Sequence, residues 1–124
     1  FLQLAGADSA IPQNIDGIGF AATLQGEEQE PRPFLYREFP DYDGQQLVRI
    51  GDWKGVRQNL MPEKKGARPN LHIELYNIAE DPNEEHDVSG KHPAIVAQIE
   101  RVMRKEHTPS AIFPIPALDG VTTN

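Results

Sequence analysis

Residues 73–88, I-E-L-Y-N-I-A-E-D-P-N-E-E-H-D-V, anchor the reading of the whole chain. Ile73, Leu75 and Ile78 are apolar and Tyr76 is aromatic, a short β-prone run. Glu80-Asp81-Pro82-Asn83 breaks it with a turn, because Pro sets its own φ and Asp and Asn side chains bond nearby backbone. An acidic loop follows. Pro93 then suits the first turn of a helix, where a missing N–H costs nothing. Ile95, Val96, Ile99, Val102 and Met103 recur at helical spacing and define one apolar stripe, with Glu100 and Arg104 at i and i+4 on the opposite side. The spacing predicts a helix running to about Glu106, ended by Thr108-Pro109-Ser110 and packed on one face of a sheet.

Upstream, strands are predicted over residues 34–39, 46–50, 53–58 and 71–78. Gly51-Asp52 is a two-residue connection, and Gly is suited to the positive φ of a tight hairpin turn. That register pairs Ile50 with Trp53 and Val48 with Gly55, where Gly55 leaves room for a bulky neighbour. Leu47, Arg49, Lys54 and Val56 then line the other face. The expected fold is α+β: a small antiparallel sheet of about four strands packed by one long C-terminal helix. One helix covers one face, so the other face calls for a partner.

The ends are less regular. Residues 1–6 read like the last turn of a helix closed by Gly6, the mark of a fragment of a larger protein. Residues 7–33 are turn-rich, with Ile15, Ile18, Phe20 and Leu24 as core anchors and a short helical turn around 20–24. In the tail, Ile112, Phe113 and Ile115 are expected to dock and the last four or five residues to be loose. With 124 residues one domain is the prior. A net charge of −7 argues against a nucleic-acid binder, which needs a basic face. No apolar run approaches the length of a membrane span. The chain has no Cys, hence no disulfide and no thiolate metal site.

Few constellations carry chemistry. His72, His86, His92 and His107 show no H-x-x-x-H pair, and there is no G-x-S-x-G elbow or Gly-rich phosphate loop. Glu84-Glu85-His86-Asp87 offers metal-ligand types, but neighbours on an extended loop point apart, so no metal site is assigned. Arg49, Lys54 and Arg57 are the best cationic candidates for holding an anionic group, with pairing to acidic residues as the plainer reading. Trp53 and Tyr76 read as core aromatics rather than sugar platforms.

The ordered set of motifs also resembles a known family. Glu74-Leu75-Tyr76-Asn77-Ile78, Glu80-Asp81-Pro82, the His92-Pro93 helix start, Val48-Arg49-Ile50-Gly51-Asp52-Trp53-Lys54 and Asp16-Gly17-Ile18-Gly19-Phe20 together look like the C-terminal subdomain of the arylsulfatase-type, formylglycine-dependent sulfatases. The likeness spans roughly residues 1–113. It implies that 1–124 is one such subdomain: a lead-in from an N-terminal domain over 1–33, sheet plus helix over 34–107, and a tail over 108–124. Its partner is then the sulfatase catalytic domain of the same polypeptide, and its ligand a sulfated small molecule or glycan. The resemblance implies a periplasmic or secreted parent that hydrolyses sulfate esters, using calcium and a formylglycine made from a Cys/Ser-x-Pro-x-Arg motif. Neither cofactor is expected within this chain: Cys is absent, and Ser9, Ser89 and Ser110 all lack Pro two residues on. No catalytic residue is therefore assigned, and this chain alone is expected to be inactive. By the same analogy the 41–46 loop with Gln46, together with Arg49 and Lys54, are candidates to shape the substrate cleft. The competing readings are a stand-alone carbohydrate-binding or interaction module, and the same subdomain of a phosphate or phosphonate hydrolase.

Overall fold

The computed structural model describes residues 2–13, 15 and 17–120, so the expectations placed on Phe1, Asp16 and residues 121–124 lie outside the described residues. The chain divides into two units, Phe1–Arg32 and Pro33–Asn124.

In the first unit residues 2–6 form a turn closed by Gly6 at φ +67°. Helix α1 spans Ala21–Gln25 and ends at Gly26, whose left-handed φ of 76° lets its N–H reach the carbonyls of Ala22 and Thr23. Ile15, Ile18, Phe20 and Leu24 remain exposed, against the expectation that they anchor a core. Single turns and one five-residue helix give these side chains no enclosing layer.

The second unit holds the sheet. Strands β1 (Leu35–Phe39), β2 (Gln45–Ile50), β3 (Trp53–Gln58) and β4 (Glu74–Asn77) lie in sequence order, each antiparallel to the next. Ile50 faces Trp53 and Val48 faces Gly55, the register expected from the Gly51-Asp52 connection. Gly51 takes φ +57° there. Strand β4 is shorter than the 71–78 run. The Leu71 carbonyl accepts from Arg57 Nε and the His72 N–H bonds Asn70 Oδ1, so that backbone is spent on side chains instead of a neighbouring strand.

Helix α2 (Pro93–Glu106) crosses one face of the sheet. Val48, Ile73, Leu75, Ile99 and Met103 form the buried core, with Tyr36, Ile50, Trp53, Val88, Ile95, Val96 and Val102 packed around it. The fold is therefore α+β, a four-stranded antiparallel sheet under one long helix. A second, smaller cluster joins Leu60 to Ile115 and Leu118, the latter on the short helix α3 (Pro116–Asp119). Ile115 docks as expected, but Ile112 and Phe113 stay in solvent at 80% and 62% exposure. The Ser110 hydroxyl accepts the N–H groups of both residues, which holds their backbone in a tight bend that turns the side chains outward.

Candidate functional site

Strand alternation sorts the polar residues onto two faces with different chemistry. Tyr36, Glu38, Gln46 and Arg57 project beneath α2, beside the apolar core. Gln46 is only 1% exposed. Its Nε2 donates to Tyr36 Oη at 3.1 Å, Glu38 Oε1 at 3.2 Å and the Met103 carbonyl at 3.1 Å. Its Oε1 accepts from Arg57 Nη1 at 3.3 Å. The Tyr36 hydroxyl donates to the Glu38 carboxylate. Burial first, and that carboxylate next, push the Tyr36 phenol well above its ordinary range.

Arg57 is 6% exposed and reaches three acceptors: the Leu71 carbonyl, Gln46 and, at 3.1 Å, Glu100 on α2. Burial lowers its pKa, opposed mainly by Glu100. Glu100 is held below the usual carboxylate range first by the Arg104 hydrogen bond, against burial, with Arg57 adding to the effect. At the end of α2 the His107 ring bridges Glu38 Oε1, 2.6 Å from Nδ1, and Asp119 Oδ1, 3.0 Å from Nε2. Asp119 Oδ2 also accepts the Ile115 N–H. This network pins β1, β2, β3, α2 and α3 together, and among the described residues no buried side-chain polar atom lacks a partner. Its groups are spent on one another, which makes it a structural clamp.

The opposite face carries Arg37, Phe39, Gln45, Leu47, Arg49 and Lys54. Arg49 and Lys54 are direct cross-strand partners. Lys54 Nζ is held by both oxygens of Glu84, at 2.5 and 2.7 Å. Arg49 is exposed and donates through Nε to the Gly51 carbonyl at 2.9 Å. The cleft assignment sets Gln46 at the end of a loop beside Arg49; it lies inside β2, and its parity turns it toward the helix. Arg49 and Lys54 are thus brought together, and Gln46 is on the far side of the sheet. Tyr76 on this face is buried as a core-type aromatic, and its phenol is pushed up to about 12 by burial and then by its bond to Glu74.

The acidic turn after β4 is folded back, not extended. Asp81 accepts the N–H groups of Glu85 and His86 at 3.1 and 2.9 Å, and these bonds, that of His86 first, hold its carboxyl below the usual range. The turn gathers ligand atoms of Asp81, Glu85 and His86 within 4.8 Å of one another, where an extended loop would point them apart. Both Asp81 oxygens are already engaged by backbone, so the arrangement serves as a cap for the turn. Asp87 caps the next segment in the same way: its Oδ1 accepts from Leu75 and Ser89 backbone N–H groups, and His72 lies 3.1 Å from Oδ2. Burial, the largest single influence, pushes Asp87 up, but these hydrogen bonds together outweigh it and hold the group at about 2.

A signal missed in sequence lies in the β1–β2 connection. Tyr42 and Asp43 adopt φ of 52° and 62°, followed by Gly44 at 75°. A Tyr in the left-handed region is uncommon, and only the Asp-Tyr-Asp-Gly composition hinted at it. The loop sets the Tyr42 ring 5.9 Å from that of Phe39, stacked at 30°.

No protein-family model matches this sequence, and no curated protein matches it. Among solved structures, the fold is similar to a sulfatase, BT33336S-sulf, solved in work on the metabolism of multiple glycosaminoglycans by Bacteroides thetaiotaomicron. The TM-score is 0.61 at 19% sequence identity, over 83% of this chain and 22% of that one. The two share a fold, and this chain spans about a fifth of the length of the sulfatase it matches.

Proposed function

We propose that this chain is the non-catalytic C-terminal subdomain of a sulfatase, an enzyme that hydrolyses aryl or carbohydrate sulfate esters. The observation that carries the reading is a fold shared with a sulfatase over 83% of this chain but only 22% of that one. A portion of an enzyme, matched nearly end to end, is what a subdomain should look like. The motif order from Asp16 to Pro93 supports the same reading. Calcium and formylglycine belong, on this proposal, to a catalytic domain in the same polypeptide. No Cys or Ser of this chain stands in the modification motif. A periplasmic or secreted location goes with the parent enzyme.

In this proposal the sheet face bearing Arg49 and Lys54 lines one side of the substrate cleft, with Gln46 supporting it from beneath. The test of the reading is a peptide map of the native gene product. A formylglycine peptide from a Cys/Ser-x-Pro-x-Arg motif, in one polypeptide with these residues, is the expected result. A native product without such a peptide overturns it and leaves a binding module. The cleft assignment is tested in the complete enzyme. Arg49→Gln should raise KM several-fold with kcat little changed, because it removes binding shared by ground and transition states. Unchanged kinetics refutes the role of Arg49.

A further inference from the structure

We propose that Arg37, Phe39, Tyr42 and Gln45 form a recognition subsite for a sugar ring carrying an anionic group. The four line one hollow of about 250 Å³ on the open sheet face, floored by Leu47 and Val56. That is smaller than the sites of drug-sized ligands and suits a single ring.

The loop that builds one wall is held in a costly shape. Left-handed backbone, which Tyr42 and Asp43 both adopt, costs an ordinary residue about 1–2 kcal/mol, a cost that Asp43 largely escapes and Tyr42 does not. Three backbone bonds enforce it: Gly44 N–H to the Asp41 carbonyl, Leu60 N–H to the Gly44 carbonyl and Met61 N–H to the Asp43 carbonyl. The outcome is a Tyr ring 79% exposed, stacked on Phe39. Gly or Asn would take the Tyr42 conformation at lower cost, so the exposed ring is held there against local preference.

The charge points the same way. Lys54, Arg57 and Arg104 each have a carboxylate partner. Arg37 has none within ion-pair distance among the described residues; its guanidinium lies 5.4 Å over the Phe39 ring. In a chain of net charge −7, a cation parked on an aromatic face beside a hollow is placed for an incoming anion. The exposed Tyr42 ring suits the apolar C–H face of a pyranose, the guanidinium suits a sulfate or carboxylate by two parallel N–H bonds, and the Gln45 amide suits a hydroxyl. The overall acidity disfavours a polyanion such as nucleic acid and leaves a small, singly charged ligand. The anion and the ring face follow from these residues; the sugar identity rests on the sulfatase reading.

The test titrates the 124-residue chain with galactose 6-sulfate, galacturonate and galactose, followed by amide NMR. The expected result is shifts at Arg37, Phe39, Tyr42 and Gln45 with at least one anionic sugar, and binding about tenfold weaker for galactose, the factor one charge-assisted hydrogen bond supplies. Arg37→Gln should abolish that difference, and Tyr42→Ala should weaken every sugar, each with the rest of the spectrum intact. A preference for the sulfate arm over the carboxylate arm names the source of the anion. The proposal is overturned by shifts that galactose produces equally, by an Arg37→Gln chain that binds like the parent, or by no shifts with any sugar. It is also overturned if hydrogen exchange of the native full-length product shows the Tyr42 loop covered by another region of the protein. The formylglycine map tests the sulfatase reading separately, so either can fail alone.

Discussion

Replacing Gly55 by Ala adds one methyl group where helix α2 touches the sheet. A β-carbon at this position would stand 2.7 Å from Ile99 Cγ2, 3.0 Å from Ile99 Cδ1 and 3.2 Å from Ile73 Cγ2. Carbon atoms at rest sit about 3.5–4.0 Å apart, so two neighbours must move. Neither has room: Ile99 is fully buried and Ile73 nearly so. Overfilling a packed core costs about 1–3 kcal/mol. Ala recovers about 0.5–1 kcal/mol because it loses less backbone freedom on folding than Gly. The net loss is about 1–2 kcal/mol, or roughly 4–16 °C in a melt for a unit of this size. Urea unfolding followed by circular dichroism measures it. The decisive assay is a double-mutant cycle. Ile99→Ala alone opens a void and costs about 2–5 kcal/mol. With Gly55→Ala present, the new methyl enters that void, so the double variant should lose at least about 1 kcal/mol less than the sum. Strict additivity, or a Gly55→Ala chain as stable as the parent, would refute the close packing of α2 against β3.

Two further outcomes follow from the polar clamp and the turn. Arg57→Ala leaves the Leu71 carbonyl and Gln46 Oε1 without this donor and Glu100 with Arg104 alone, and should cost about 1–3 kcal/mol. Arg57→Lys should recover little of it, since one ammonium cannot serve three diverging acceptors; full recovery in urea melts would show that only charge matters. Asp87 sits at about 2 in the folded chain against an ordinary 3.8, so it stabilises the fold above about pH 4 and that stabilisation fades as pH falls toward 2. The shift would be worth up to about 2.5 kcal/mol, but the side chain is a third exposed, and solvent screening reduces this to about 1 kcal/mol. Asp87→Asn should therefore be less stable at pH 6 and show a flatter acid limb; an unchanged limb counts against the role of the Leu75 and Ser89 N–H bonds.

What was legible in the sequence was governed by local periodicity. The stripe from Ile95 to Met103 defines α2, and Gly51-Asp52 sets the β2–β3 register, from which Gly55 opposite a bulky neighbour follows. What was not legible depended on partners distant in sequence. The 71–73 segment leaves the ladder because Arg57, fourteen residues earlier, claims the Leu71 carbonyl. Gln46 was grouped with Arg49 by analogy, although the register set by Gly51-Asp52 already gives Gln46 the parity of Val48 and hence the face under α2. The His107 bridge joins residues 69 and 12 positions apart, so no spacing rule in the sequence announces it. Tyr42 was invisible for another reason: propensity argues against a left-handed Tyr, and only the backbone bonds from Leu60 and Met61 override it.

The division between the two faces bears on what this unit can do. Beneath α2, buried polar groups meet one another, and among the described residues none lacks a partner. On the open face the pattern is reversed. Arg37 and Arg49 have no carboxylate partner among the described residues, the Tyr42 ring stands in water, and the backbone holds it there at a cost. In our proposal, this surface is the one that meets a ligand. A clamp that fixes the strands from behind keeps the side chains of the open face on a rigid sheet, which the proposed ligand site requires. On the proposed reading, positioning a substrate for chemistry done elsewhere in a larger enzyme accounts for both faces together.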